Sequence, residues 1–224
     1  MAKVTIALRE ALRRAVTAYN GGKFSEAEAL CHAIIAAKHD FFDAMHLLAV
    51  VQARLGRSSD ASASFGRAPA IRPDDTQTLY NCGSVFQKVK RFADALASYQ
   101  RVLALRPHDV ATLHNYGNTL RELKRFEEAL ASYGKAIALK PDYADAFYNL
   151  CNILQELGRF DEALASSDHA LTLRSNFPDS LVRRGIALHY LKRFEEALAS
   201  YDRAFTLQPN FPATHEAWYR STLP

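Results

Sequence analysis

The sequence predicts an all-α chain in which six 34-residue helical hairpins stack as a solenoid and a single helix closes the C-terminus. Three observations predict it. The eleven residues from Leu123 to Tyr133 recur letter for letter from Leu191 to Tyr201, a displacement of twice 34. Pro73, Pro107, Pro141 and Pro209 recur in the same phase, with His39 and Ser175 in the two missing places. Between these markers, apolar residues follow helical spacing twice, interrupted by one short break. A lone hairpin cannot bury such an apolar face, so repeated hairpins must stack on one another.

Taken in order, residues 1–7 form a lead and the units span 8–41, 42–75, 76–109, 110–143, 144–177 and 178–211. The first opens its second helix at Lys23-Phe24-Ser25-Glu26-Ala27, but carries Arg14 at its seventh position and lacks the proline. The second has Ser58 where the others have Phe. Erosion of this kind is expected where one face of a terminal repeat meets solvent. The second unit also holds Pro69 inside a helical segment, where a missing N–H and a clash with the Phe65 carbonyl cost ~3 kcal/mol. Two readings of Pro69 stand: a kink tolerated near a helix end, and a hinge between units two and three. Units three to six repeat Arg-Phe-x-x-Ala at Arg91, Arg125, Arg159 and Arg193. In the fifth, Phe147, Leu150, Cys151 and Leu154 form one apolar stripe, and Ala163, Leu164, Ser167, Ala170 and Leu171 form another after Leu157-Gly158-Arg159. Residues 212–224 read as one more helix, with Ala213, Ala217 and Trp218 apolar and His215, Glu216 and Arg220 polar. That helix either caps the last hairpin or opens a seventh unit of a longer protein.

The pattern resembles the tetratricopeptide repeat (TPR) family over residues 8–211. Position 20 of every unit is alanine: Ala27, Ala61, Ala95, Ala129, Ala163 and Ala197. Position 8 is small throughout, at Ala15, Ala49, Gly83, Gly117, Cys151 and Gly185. Position 24 is aromatic at Phe65, Tyr99, Tyr133 and Tyr201. Small residues let two helices approach closely, so position 8 is expected to face the position-20 alanine. Bulky residues at positions 4, 7, 11, 24 and 28 then fill the space between hairpins. The resemblance implies a right-handed superhelical solenoid.

Composition agrees with a globular chain: 224 residues, 49% apolar, 23% charged, and too few of its nine Gly and eight Pro to be fibrous. No run reaches the ~18 apolar residues of a membrane span. Arg9 and Glu10 interrupt the N-terminus too early for a secretory signal. Cys31, Cys82 and Cys151 form no Cys-x-x-Cys pair, which points to a reducing, cytoplasmic setting. The net charge of +4 is spread rather than concentrated: ten basic and eight acidic side chains over 1–75, ten and six over 76–143, eight and ten over 144–224. Basic residues do recur at the inter-helix turns (Lys90-Arg91, Lys124-Arg125, Arg159, Lys192-Arg193), but acids follow within a turn. That local neutralisation argues against a nucleic-acid track.

Chemistry-bearing motifs are missing from the sequence. It has no phosphate loop, nucleophile elbow or His-Glu-x-x-His pair, and its eight histidines fall at scattered phases. The expectation is a non-enzymatic chain without cofactor or metal, whose partner is a protein or peptide rather than nucleic acid or membrane. The resemblance places a ligand groove along the first helices of the hairpins. Asn81, Asn115 and Asn149 occupy position 6 of three consecutive units, and an amide carries both donor and acceptor for a peptide backbone. Asn118 and Asn152 stand at position 9. Tyr80, His114 and Tyr148 stand at position 5, and Arg183 at position 6 of the last unit. The ladder resembles the asparagine rows in TPR arrays of O-linked N-acetylglucosamine transferases. Glu26-Ala27-Glu28-Ala29-Leu30 followed by Asp43-Ala44-Met45-His46-Leu47-Leu48 also resembles the opening units of bacterial TPR proteins that continue into a glycosyltransferase region, which leaves open that the chain is the substrate-recruiting arm of a longer enzyme. Self-association through the open ends of the solenoid is a third reading. A carboxylate clamp of the kind that holds chaperone C-termini fits poorly, because Asp179 stands where a lysine is needed.

Overall fold

A computed structural model describes residues 2–71 and 74–209, and among these all regular structure is α-helical. The helices run α1 (Ala2–Asn20), α2 (Phe24–Ala37), α3 (Phe42–Arg54), α4 (Ser58–Ile71), α5 (Thr76–Lys88), α6 (Phe92–Leu105), α7 (Val110–Glu122), α8 (Phe126–Leu139), α9 (Ala144–Glu156), α10 (Phe160–Leu173), α11 (Pro178–Tyr190) and α12 (Phe194–Leu207). Contacts group the chain into two compact units, Met1–Thr112 and Leu113–Pro224. In the first, α1 packs on α2, α3 on α4 and α5 on α6, while α2–α3 and α4–α5 join neighbouring hairpins. In the second, α9 packs on α10 and α11 on α12, with α8–α9 and α10–α11 joining them. The expected closing helix at 212–224 lies outside the described residues. Helix α4 continues through Pro69 to Ile71.

Every inter-helix turn within a hairpin uses the same backbone device. The residue at position 15 adopts a left-handed conformation, at Gly22, Gly56 and Gly158 with φ of 74°, 76° and 72°, and at Lys90, Lys124 and Lys192 with φ of 60°, 59° and 61°. Two hydrogen bonds accompany it. Around Lys124 they are Lys124 N–H to the Arg121 carbonyl and Arg125 N–H to the Leu120 carbonyl, both 2.9 Å. This is the Schellman arrangement, which satisfies carbonyls left over at a helix end. The following residue, Lys23 in the first hairpin and Arg in the others, leads directly into the next helix, so the turn between helices is three residues long. A guanidinium has no acceptor for the free N–H groups of a helix start, and no side-chain hydrogen bond caps these helices. Instead Arg125, Arg159 and Arg193 each grip the carboxylate three residues on, through Nε and Nη2 at 2.6–2.7 Å from Glu128, Glu162 and Glu196. The arginines of the recurrent basic edge read from the sequence are therefore paired in place, and the acids also sit where the helix dipole favours them. Helices α5 and α7 start differently, with Asp75 and Asp109 accepting the N–H of Thr78 and Thr112 at 2.8 Å.

The core bears out the restriction at position 20, whose six alanines are all fully buried. Position 8 is small for a different reason from the expected one. A Cβ built at Gly83 would lie 2.5 Å from the Tyr99 ring and one at Gly117 2.8 Å from the Tyr133 ring; at Gly185 it would meet Tyr201. The tyrosine at position 24, not the alanine at position 20, lies nearest. Units with Cys31, Phe65 and Ser167 at position 24 carry Ala15, Ala49 and Cys151 at position 8 instead. Tyr99 and Tyr133 are completely buried and Tyr201 nearly so, each contributing the large apolar area typical of an aromatic core residue. A serine at position 23 ties the same helices together: Ser132 Oγ donates to the Leu113 carbonyl at 2.8 Å and Ser166 Oγ to that of Phe147 at 3.0 Å.

Two stability measurements check these points. Gly117→Ala should cost about 1–3 kcal/mol through overpacking, and a good part of that cost should vanish in a Tyr133→Ser background, read from denaturant midpoints as a double-mutant cycle. Additive effects would mean that the ring does not set the residue at position 8. Gly158→Ala meets no neighbouring atom within 4 Å, so its loss should be the left-handed backbone penalty alone, about 1–2 kcal/mol.

Candidate functional site

The first helices carry the polar residues that packing does not require. In the first unit, Tyr80 and Asn81 stand side by side on α5, both half-buried. The Tyr80 ring lies 6.0 Å from that of Tyr99 and lines a cavity of about 230 Å³ with Gln77, Arg106 and Asp109. Asn81 Oδ1 accepts from Gln77 Nε2 at 3.2 Å, and its Nδ2 lies 3.4 Å from His46 Nε2. The other His46 nitrogen, Nδ1, is 2.5 Å from the Thr78 hydroxyl. With Nε2 accepting from the amide, the ring proton belongs on Nδ1, so His46 is held neutral at both ends.

The second unit repeats this geometry with one partner missing. Asn149 Nδ2 on α9 reaches His114 Nε2 on α7 at 3.4 Å and Asn118 Oδ1 at 3.1 Å. Asn118 Oδ1 also accepts from the Tyr133 hydroxyl at 2.5 Å. The position equivalent to Thr78 is Ala146, and His114 Nδ1 is buried without a hydrogen-bond partner. Its ring is enclosed by Tyr133 and Tyr143, with centroids 5.8 and 5.0 Å away. Burial pushes the pKa of both His46 and His114 down. Asp75 and Asp43 act upward on His46; Asp145 acts upward and Arg121 downward on His114.

The nine predicted residues thus receive different surroundings. Asn149 is only 8% exposed and, with Asn118, holds α7 against α9. His114 is packed among aromatic rings, and Asn115 is half-buried beside it, its carbonyl accepting from Thr119 Oγ1 at 2.8 Å. Tyr148, Asn152 and Arg183 come together as walls of one cavity of about 400 Å³, completed by Arg121, Glu122, Lys124, Phe126 and Glu156. Asn152 is also 8% exposed, and its buried Oδ1 has no partner. Tyr148 leans on Phe177 at 5.2 Å, and Arg183 Nη1 lies 3.5 Å from Gln155 Oε1. Asn81 and Tyr80 belong to the other unit. The charged walls Arg121, Lys124 and Glu156 went unselected in the sequence. Position 15 looks like a turn.

Family profiles decide what this architecture is. Tetratricopeptide repeat profiles match residues 12–76, 78–109, 117–158 and 142–210. The chain belongs to the tetratricopeptide repeat family. Solved TPR structures share its fold at low identity. PilW, a type IV pilus biogenesis factor, matches with a TM-score of 0.77 at 18% identity, over 94% of this chain and 97% of its own. PilF of Pseudomonas aeruginosa matches with 0.75 at 16%, over 97% and 99%. YrrB, described as a TPR protein with an unusual peptide-binding site, matches with 0.68 at 19%, over 84% and 96%. Comparison with curated proteins gives no sequence match. Among the described residues of the TPR chain, no three His, Cys, Asp or Glu side chains gather as metal ligands, and no helix is long and apolar enough to cross a membrane. The thiols of Cys31, Cys82 and Cys151 are buried, which raises each pKa to about 12 and keeps them protonated.

The two half-buried histidines should make stability depend on pH. Their folded pKa values lie below the ordinary ~6.5 of the unfolded chain, so the unfolded state takes up protons first as pH falls. Stability should be full above pH ~6.5 and decline below it, levelling off under the folded pKa. Urea midpoints between pH 8 and 5 should show this, and His46→Gln with His114→Gln should flatten the profile.

Proposed function

We propose that the chain is a protein-interaction module that holds an extended peptide or protein segment along the first-helix face of its hairpins. The observation that supports this most is the polar cavity where α9 presents Tyr148 and Asn152 and α11 presents Arg183. Asn152 lines this cavity, and its Oδ1 is buried without a partner. A buried amide oxygen left unpaired costs about 1–3 kcal/mol, which a ligand N–H would recover. Each peptide unit of an extended segment offers such an N–H together with a carbonyl, so amides can hold a backbone without selecting its side chains. Tyr148 supplies an apolar surface and Arg183 a charge, which set preference among sequences.

In this reading Asn115 and Asn152 meet backbone in the second unit, and Asn81 with Tyr80 does so in the first. Asn118, Asn149 and His114 act indirectly, by fixing α7 against α9 so that the face keeps its shape. The peptide-binding description of YrrB, a fold relative, favours the same general role.

The double variant Asn115→Ala, Asn152→Ala should bind an array of random-sequence peptides about tenfold more weakly than the parent chain, an effect of about 1.4 kcal/mol. Loss should be uniform across sequences, because the amides read backbone. Circular dichroism should show unchanged helix content. Undiminished binding would place the contact surface elsewhere.

A further inference from the structure

The cavity of the second unit makes a chemical demand that narrows the ligand. Its walls include three cations, Arg121, Lys124 and Arg183, and two carboxylates, Glu122 and Glu156. Arg121 and Glu122 neutralise one another through an ion pair of 2.9 Å. Lys124 and Arg183 have no carboxylate partner among the described residues. Lys124 Nζ instead sits 5.5 Å from the Phe126 ring centroid, and Arg183 Nη1 reaches only the neutral Gln155. Two uncompensated cations therefore face one uncompensated acid. The left-handed turn at Lys124, with φ of 59°, fixes where this lysine leaves the backbone. The side chain at this turn position thus contributes to the cavity wall. In the equivalent turns at Gly22, Gly56 and Gly158 there is no side chain to do so.

Asn152 adds a demand of a different kind. Its Oδ1 is an acceptor, more than nine-tenths buried with its residue and unpartnered. A free inorganic anion would satisfy Lys124 and Arg183 but offers no N–H to this oxygen. A cationic side chain would satisfy Asn152 and Glu156 but would face Lys124 and Arg183. An internal acidic residue of a peptide answers both demands: its carboxylate lies with the cations and its main-chain N–H with Asn152. At about 400 Å³ the cavity has room for a Glu side chain with its flanking peptide units, and it falls in the roughly 300–1,000 Å³ range of ligand pockets. Charge-assisted hydrogen bonds to carboxylate are the stronger class of polar contact, so this side chain should dominate selection.

We infer that the cavity walled by Tyr148, Asn152, Lys124 and Arg183 is a subsite for an internal Asp or Glu of the bound peptide. This rests on the peptide-binding reading above and adds the chemical class that the second unit selects.

The test uses the full chain and short peptides capped at both ends, an alanine–serine host with Glu, Asp, Gln or Lys at its centre, titrated by fluorescence anisotropy. Capping removes any contribution from a terminal carboxylate. The Glu and Asp peptides should bind about tenfold tighter than the Gln peptide, with the Lys peptide weakest. Arg183→Glu should reverse the order, so that Lys outranks Glu. Asn152→Leu should weaken the Glu and Gln peptides by similar factors while the ratio between them persists. Equal binding of Glu and Gln peptides by the parent chain would overturn the acidic subsite and leave the peptide-binding reading intact. Absence of binding by every peptide would overturn both. An unchanged order in Arg183→Glu, with helix content preserved, would also overturn the assignment, because the selecting charge would then lie elsewhere.

Discussion

The contact on which this molecule depends is the laying of a tyrosine ring across the backbone of a first helix. At Gly83, Gly117 and Gly185 there is no room for a Cβ, because Tyr99, Tyr133 and Tyr201 occupy its place. The close approach brings two helices of a hairpin together, buries the whole ring, and brings the hydroxyl within reach of polar side chains of the first helix. There the Tyr133 hydroxyl meets Asn118 at 2.5 Å, and the Tyr99 hydroxyl approaches Gln87 at 3.4 Å. One side chain thus spans the hairpin core and ends on the polar face. Packing and site are coupled, since the rings that set hairpin spacing also fix the orientation of amides on that face.

Polar groups near this contact form a relay that repeats from one hairpin to the next with substitutions. An amide at position 6 reaches the histidine at position 5 of the preceding unit in both compact units, at Asn81–His46 and Asn149–His114. Thr78 completes the first of these, and Ala146 leaves the second incomplete. The unpaired buried nitrogen of the second belongs to a ring held between Tyr133 and Tyr143. The asparagines therefore divide their labour. Asn149 is engaged in holding helices together, whereas Asn152, three residues further along α9, keeps an oxygen unpaired in the cavity wall.

Much of the fold was legible in the sequence because its determinants are local or strictly periodic. The 34-residue phase, the helical apolar spacing and the six alanines at position 20 all correspond to what is observed, with all six alanines inaccessible to solvent. The reason for small residues at position 8 was less legible. A pairing of positions 8 and 24 within each hairpin is visible in the letters once known, but periodicity alone cannot say which residue of the second helix lies over it. Neither could the turns be read in full. Three of the six left-handed residues are lysines rather than glycines, and a lysine carries no sequence signal for that conformation. The candidate site was legible as a set of positions on first helices. How buried each asparagine is depends on residues 15 to 35 places away in sequence, which a single-helix reading does not supply.

By itself, then, the sequence determined the family, the all-α hairpin architecture and the face on which polar residues collect. These follow from periodicity, and periodicity survives translation along the chain. Only the tertiary structure decided which polar groups are already paired and which are not. Asn118 and Asn149 satisfy their neighbours, while Asn152 Oδ1 is left unpaired and Lys124 and Arg183 line a cavity without a carboxylate partner. The physical reason is that hydrogen-bond satisfaction is a property of pairs of atoms brought together by packing, whereas helical phase is a property of each segment alone.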